Sequence, residues 1–177
     1  IDSSVIVPTT HTKPGPAPTQ KASASVADAQ DTSAYYNALD GHFKFKWGNY
    51  KQAIYAIYSE HNNKAEDRQF DFGCRDVVTN MDGLQTYCYW SGFINDYDKP
   101  VNYQCPGNRY VNGIDSYHNN LMEDRKWSFL CCSLSDVHMA DCSLTHYTND
   151  FDGIQNFQAG TGEVMTGMDS YHNNRHE

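Results

Sequence analysis

The stretch EDRKWSFLC, Glu123–Cys131, has a close copy earlier in the chain, EDRQFDFGC at Glu66–Cys74. In each, an Asp-Arg pair is followed by aromatic residues at alternate positions and then by a cysteine. Successive side chains of a β-strand point to opposite faces, so Arg125, Trp127 and Phe129 should share one face. Two such strands, about 57 residues apart, predict an all-β fold built from a repeated unit.

Other elements recur with a similar spacing. The sequence DSYHNN occurs at Asp115–Asn120 and at Asp169–Asn174, and YSEHNN occurs at Tyr58–Asn63. Each copy follows a short apolar run that is rich in aromatic or β-branched residues, which is typical of a strand. Ala56, Gly113 and Gly167 occupy the same place in these runs, and a small residue inside a strand predicts a close backbone approach.

Residues 36–177 are therefore predicted to form one all-β domain of three units of about 55 residues. The third unit is incomplete, because its Asp-Arg strand would come directly after Glu177. Three small sheets with pseudo-threefold symmetry predict a β-prism-like fold, and a β-trefoil is the alternative. The units lie at about 38–94, 95–149 and 150–177.

Residues 1–35 differ from the rest of the chain. They are rich in Pro, Ala, Ser and Thr and contain no aromatic residue before Tyr35. This composition predicts an extended arm with too little apolar surface to order itself. The arm should then be held by the domain surface, by a neighbouring copy or by another protein.

The six cysteines predict disulfides and a secreted protein, because they form no paired CxxC motifs of the kind that bind zinc. Cys74 aligns with Cys131, and the two cysteines without a counterpart in unit one are expected to bond to each other. The predicted bonds are Cys74–Cys88, Cys131–Cys142 and Cys105–Cys132.

Composition and motifs exclude several classes of function. The 22 acidic and 13 basic residues give a net charge of -9, which repels nucleic acid. No apolar run approaches the roughly 20 residues needed to span a membrane. The chain has no GxSxG, HExxH, Walker or GxGxxG motif. We expect no enzymatic activity and no cofactor.

The repeated polar motifs supply the candidate binding residues. A His-Asn-Asn loop beside a tyrosine is either a hairpin turn, which Asn favours, or a carbohydrate site. The arginines either form a buried pair that pins the hairpin or bind carboxylate or sulfate. Metal binding by His with Asp115 or Asp169 would use isolated ligands in separate repeats, so no metal site is predicted. The candidates are His61, Asn62, His118, Asn119, Asn120, His172, Asn173, Asn174, Tyr117, Tyr171, Arg68 and Arg125.

Taken together, these motifs resemble the dermatopontin family of tyrosine-rich acidic extracellular matrix proteins. The resemblance covers roughly residues 38–177 and rests on Asp-Arg-x-aromatic-x-Phe-x-Cys, on the Cys131-Cys132 doublet, and on YQCP at Tyr103–Pro106. The sequence departs from the family pattern at Trp47, where a cysteine is common. The resemblance implies a secreted, non-enzymatic matrix protein that acts in adhesion and assembly.

The family resemblance leaves three functions open. The first is matrix assembly through protein and glycan contacts, with other matrix proteins, proteoglycans or a co-assembling protein held through residues 1–35 as partners. The second is a glycan-binding lectin that agglutinates cells. The third is a lattice component of a biomineral matrix.

Overall fold

A computed structural model of the chain describes residues 2–8, 35–80 and 82–173. Within these residues the chain forms eleven β-strands and no helix. The strands are β1 (Asp2–Pro8), β2 (Phe43–Lys46), β3 (Gln52–Asn62), β4 (Asp67–Asp76), β5 (Thr86–Trp90), β6 (Val101–Gln104), β7 (Tyr110–Asn119), β8 (Asp124–Leu134), β9 (Cys142–Leu144), β10 (Gln155–Gln158) and β11 (Gly167–Tyr171). The all-β prediction is confirmed.

The two Asp-Arg stretches are strands β4 and β8, as their alternating pattern predicts. Trp127, Phe129 and Cys131 of β8 are all buried, with exposures of 3% or less. Phe70 and Phe72 of β4 are buried on the corresponding face, while Asp71 between them is exposed. Each Asp-Arg strand pairs with the long strand before it: β3 with β4, and β7 with β8.

The strands form three sheets, with orders β2-β7-β8-β5, β10-β3-β4 and β6-β11-β1-β9. A short strand of one predicted unit pairs with a strand of another: β2 with β7, β6 with β11, and β10 with β3. Strands from the three predicted stretches of the chain are therefore interleaved in the sheets. Strand pairing alone does not decide between a prism and a trefoil, which stay predictions.

Strand β1 takes the place in the third sheet that β8 takes in its own sheet. It lies between β11 and β9, with Ser4 opposite Asp169 and Val7 opposite Ser143. The first residues of the predicted arm are therefore held by the domain of the same chain. Residues 9–34 of the arm lie outside the described residues.

The core relies on aromatic rings. Phe45 stacks on Phe72 with ring centroids 4.6 Å apart, and Phe70 meets the edge of Trp127 at 5.4 Å. Each ring buries a large apolar area, so a few rings fill the space between the sheets.

The predicted close backbone approach is confirmed at Gly113. A Cβ added at this glycine would lie 2.5 Å from the carbonyl oxygen of Phe45 on the neighbouring strand β2. Two residues further along the pairing, Asp115 lies opposite Lys44 in the same ladder. The small residue therefore lets β2 and β7 pair without a steric clash.

The predicted disulfide pairing is wrong. Two bonds are present, Cys88–Cys132 and Cys105–Cys131, and Cys74 and Cys142 are free thiols. None of the predicted bonds Cys74–Cys88, Cys131–Cys142 and Cys105–Cys132 forms. The prediction that Cys131 and Cys132 find different partners is confirmed.

Strand register explains the correction. Cys88 lies directly opposite Cys132 where β5 pairs with β8. At the corresponding place in the third sheet, Cys142 lies opposite Pro8 of β1, which offers no sulfur. The sequence reveals which cysteines are equivalent, but the partner depends on which strand the fold places beside each of them.

Candidate functional site

The three His-Asn-Asn loops meet at one small pocket. Its volume is about 30 Å³, which leaves room for water-sized groups. A sugar ring is too large to enter it. The lining residues are His61, Glu66, Asp67, Arg68, His118, Glu123, Asp124, Arg125, Phe151, Asp152, His172 and Asn173.

The asparagines of the motif shape the turns. The side-chain oxygen of Asn62 accepts hydrogen bonds from the backbone N–H of Lys64 at 3.0 Å and of Ala65 at 3.2 Å. Asn119 accepts in the same way from the backbone N–H of Leu121 at 2.9 Å. These are the local bonds by which Asn favours a turn. Asn120 is exposed, and Asn174 lies outside the described residues.

Arg125 of β8 forms a buried ion pair with an aspartate of β4. Its Nε and one terminal nitrogen each donate to Asp67, both at 2.6 Å, and the side chains are 1% and 2% exposed. The guanidinium also lies over the rings of Phe43 and Phe70 at 5.4 and 5.9 Å. A guanidinium so enclosed cannot reach a carboxylate or sulfate in solution, which favours the structural alternative.

The electrostatics of this pair include His118. Burial raises the pKa of Asp67, but His118 and Arg125 outweigh burial and hold it at about 2. Burial lowers the pKa of His118, but Asp67, whose Oδ1 lies 3.3 Å from the ring Nδ1, leaves it above its ordinary value. Asp67 is therefore the negative charge that both Arg125 and His118 face.

The remaining candidates are dispersed. Arg68 is 3% exposed and donates to Ser59 Oγ at 3.2 Å. Tyr171 packs against Tyr147 and Phe151, with ring centroids 5.4 and 5.3 Å apart. Tyr117 is 49% exposed, with its ring 5.8 Å from that of His42. Of these side chains, Tyr117 alone offers a large open face to a ligand.

A second, open groove lies on the sheet that contains β5 and was not found from the sequence. Its volume is about 350 Å³, which is within the size range of ligand sites. Tyr50 and Tyr89 are 41% and 39% exposed there. The lining residues are Lys46, Tyr50, Thr86, Cys88, Tyr89, Trp90 and Leu130.

Basic groups accompany the aromatic residues of this groove. The ammonium of Lys44 lies 4.3 Å from the ring centre of Trp90, and the guanidinium of Arg109 lies 5.3 Å from that of Tyr89. Lys46 lines the groove directly. Lys44 is also bound to Asp115 at 2.8 Å, so Lys46 and Arg109 supply most of the positive charge. We call the groove lined by these residues, together with Arg109 beside Tyr89, the aromatic-basic groove.

One sequence signal could have revealed the groove. In FKFK, Phe43–Lys46, the phenylalanines are buried, so both lysines must point outward from β2. An outward pair of lysines is conspicuous in a chain with a net charge of -9. The lysines lie near Tyr89 and Trp90 because β5 belongs to the same sheet as β2. The sequence does not reveal that placement.

A family model described as Dermatopontin matches residues 37–177. The match therefore covers every described strand except β1. No solved structure gives a significant match to the chain. The part of the chain that the structure describes contains no helix that could cross a membrane.

Several named proteins are similar to the chain. The Hemagglutinin/amebocyte aggregation factor of Limulus polyphemus is 32% identical over 82% of this chain and 83% of that protein. The Dermatopontin of Biomphalaria glabrata is 34% identical over 68% of this chain and 78% of that protein. Millepora cytotoxin-1 of Millepora dichotoma is 36% identical over 80% of this chain, but the match covers 61% of that longer protein.

Proposed function

The chain belongs to the dermatopontin family, and from this we propose that it is a non-enzymatic, secreted adhesion protein that binds sulfated glycans in an extracellular matrix. The aromatic-basic groove is the observation that carries the proposal. We also propose that the three sheets are arranged like a prism around a pseudo-threefold axis. The pairing of strands from different parts of the chain supports this arrangement.

The groove has the chemistry that a sulfated sugar needs. The C–H faces of a sugar ring are apolar and pack against aromatic rings, which Tyr50, Tyr89 and Trp90 provide. Sulfate groups are bound by ammonium and guanidinium groups, which Lys46 and Arg109 provide. The small pocket between the His-Asn-Asn loops lacks the room for this role.

The proposal is tested by measuring binding to a sulfated polysaccharide such as heparin, with its desulfated form as the matched ligand. Trp90→Ala and Lys46→Ala should each weaken binding by about tenfold, which is about 1.4 kcal/mol. Leu144→Ala, an exposed apolar residue of β9, should leave the affinity unchanged. Binding should also weaken as salt is added. Equal affinity of all three variants, or equal binding of both polysaccharides, would contradict the proposal.

A second candidate function is agglutination, which the Limulus relative carries in its name. Agglutination needs at least two binding sites in one particle, so the chain would have to associate or use a further site. Mixing the protein with blood cells distinguishes the two functions. An agglutinin should clump the cells and be inhibited by a soluble glycan, whereas a monovalent matrix binder should coat them singly.

The biomineral lattice has less support. That alternative depends on residues 1–35 contacting a partner, and Asp2–Pro8 pairs with the chain's own β11 and β9. Protein partners in matrix assembly are therefore proposed from the family resemblance alone.

A further inference from the structure

Strand β1 occupies the place of a third Asp-Arg strand, in the same register as β8. In the copy of DSYHNN on β11, Asp169 lies opposite Ser4 of β1. In the copy on β7, Asp115 lies opposite Ser128 of β8. The third sheet is therefore completed by a strand that is far in sequence from both of its neighbours, β11 and β9.

The two strands differ in how they are fastened to the sheet. Where β8 meets β5, Cys132 lies opposite Cys88 and a disulfide joins them. At the equivalent position Pro8 of β1 lies opposite Cys142 of β9, and Cys142 is a free thiol. Residues 2–8 contain neither a cysteine nor an arginine. Strand β1 therefore has neither the disulfide nor the arginine ion pair that fasten β8.

The connection of β1 to the rest of the domain is also different. A turn of four residues, 120–123, joins β7 to β8, and so short a turn keeps two antiparallel strands side by side in one sheet. Between β1 and Tyr35, where the described part of the domain starts, lie the 26 residues 9–34. Strand β1 can therefore leave its sheet without unthreading another strand, because the other ten strands all follow it in the chain.

The intervening segment is long enough to reach a second molecule. Tyr36 joins the start of the domain to β4, because its backbone N–H donates to the carbonyl of Phe70 at 2.7 Å. A segment of 26 residues spans at most about 90 Å, whereas a compact domain of this size is roughly 40 Å across. The length of the segment therefore allows β1 to pair within its own chain or with a neighbouring copy.

The backbone pairs are the same in both arrangements. Whichever copy supplies β1, the strand pairs with β11 from Asp2 to Ile6 and with β9 from Ile6 to Pro8. The free energies of the two arrangements therefore differ mainly in the entropies of closing the tether and of association. Exchange between copies competes once the protein concentration approaches the effective concentration that the tether sets, which is on the order of millimolar.

We propose that β1 is exchanged between copies of this chain, so that the place between β11 and β9 is a docking site for β1 of a second copy. Exchange of an identical element is a low-cost route to dimers. The proposal does not depend on glycan binding. An exchanged dimer would carry two aromatic-basic grooves in one particle, which is the multivalency that agglutination needs.

The test places a reporter disulfide across the docked strand. Cys74→Ala removes the other free thiol, and Pro8→Cys puts a thiol opposite Cys142. Equal amounts of isotope-labelled and unlabelled chain are mixed, incubated until exchange is complete and oxidised with glutathione disulfide. Mass spectrometry then identifies which chains are linked. The fraction of links between a labelled and an unlabelled chain should be close to zero at micromolar protein and rise toward about half as the concentration approaches millimolar.

A control and a second measurement keep the test decisive. The chain with Cys74→Ala alone can link only Cys142 to Cys142, so it measures random collisions. If Pro8→Cys does not fold, light scattering follows the oligomeric state of a parent chain with Cys74→Ala and Cys142→Ala over the same concentrations. Val5→Pro removes a backbone N–H from the middle of β1 and should abolish the dimer, whereas Thr10→Pro, beyond β1, should preserve it.

Several results would overturn the exchange of β1. The reporter links could stay within single chains at every concentration, or labelled and unlabelled chains could be linked no more often than in the control. In light scattering, the parent could remain monomeric throughout, or Val5→Pro could associate as fully as the parent, which would assign the dimer to another surface.

Discussion

The sheet β2-β7-β8-β5 and the sheet β6-β11-β1-β9 have matching strand orders but are held together differently. In the first, the third strand is β8, which carries Arg125 and one cysteine of each disulfide. In the second, β1 fills that place and is joined to its neighbours by backbone pairing. The comparison shows that the same strand order forms with an Asp-Arg strand in the third place and with β1 there instead.

The two sheets also differ at their edges. Strand β5 presents Tyr89 and Trp90 to the aromatic-basic groove, whereas β9 is the short segment Cys142–Leu144, which is exposed throughout. The proposed glycan site therefore lies on the sheet that the disulfides hold rigid. A rigid frame lowers the entropy that a binding site loses when it takes up a ligand.

The largest expected effect comes from breaking the ion pair that joins β8 to β4. Arg125→Met should lower the free energy of unfolding by about 3–5 kcal/mol, because it leaves the Asp67 charge buried without its partner. Lys126→Met removes the neighbouring, solvent-exposed pair with Asp96 and should have a small effect. Urea denaturation measures both. Equal losses would show that burial of the pair does not matter.

A smaller effect is expected from the disulfide that links β5 to β8. Cys88→Ala with Cys132→Ala should lower the free energy of unfolding by about 2–4 kcal/mol, because the unfolded chain loses a constraint. The matched control is Cys142→Ala, the equivalent position on β9, whose thiol is free. Thermal unfolding should separate the two. A control that is as unstable as the double variant would contradict the comparison.

The smallest of the three effects concerns the contact between β2 and β7. Gly113→Ala should cost about 1–3 kcal/mol, because its Cβ would press on the Phe45 carbonyl at 2.5 Å. Gly48→Ala, where a Cβ would meet no atom within 4 Å, is the control. Chemical denaturation of both variants should show a loss for Gly113→Ala alone; a stable Gly113→Ala would mean that the strands separate easily.

Local patterns predicted the strands, the aromatic core and the family, because alternation and aromatic spacing are properties of short stretches. The Asp-Arg strands β4 and β8 are the clearest example. The disulfide partners and the aromatic-basic groove depend on which strands lie side by side. Cys88 meets Cys132, and Lys44 meets Trp90, across chain separations that no local pattern encodes.

The surroundings of His61 and His118 show the same limit. In the sequence each histidine looks isolated, because the aspartate near it comes from a distant part of the chain and its glutamate returns through a turn. The repeated H-N-N-x-x-E spacing is visible in the sequence. That Asp40 lies 3.7 Å from His118 could be seen only in the folded chain.

The NMR signals of the three tryptophans can locate the glycan-binding site. Trp90 lines the aromatic-basic groove, while Trp127 is 3% exposed in the core. Indole N–H signals followed by NMR during titration with heparin should show Trp90 shifting in a saturable way and Trp127 staying in place. A Trp90 signal that does not move while heparin binds would contradict the proposed site.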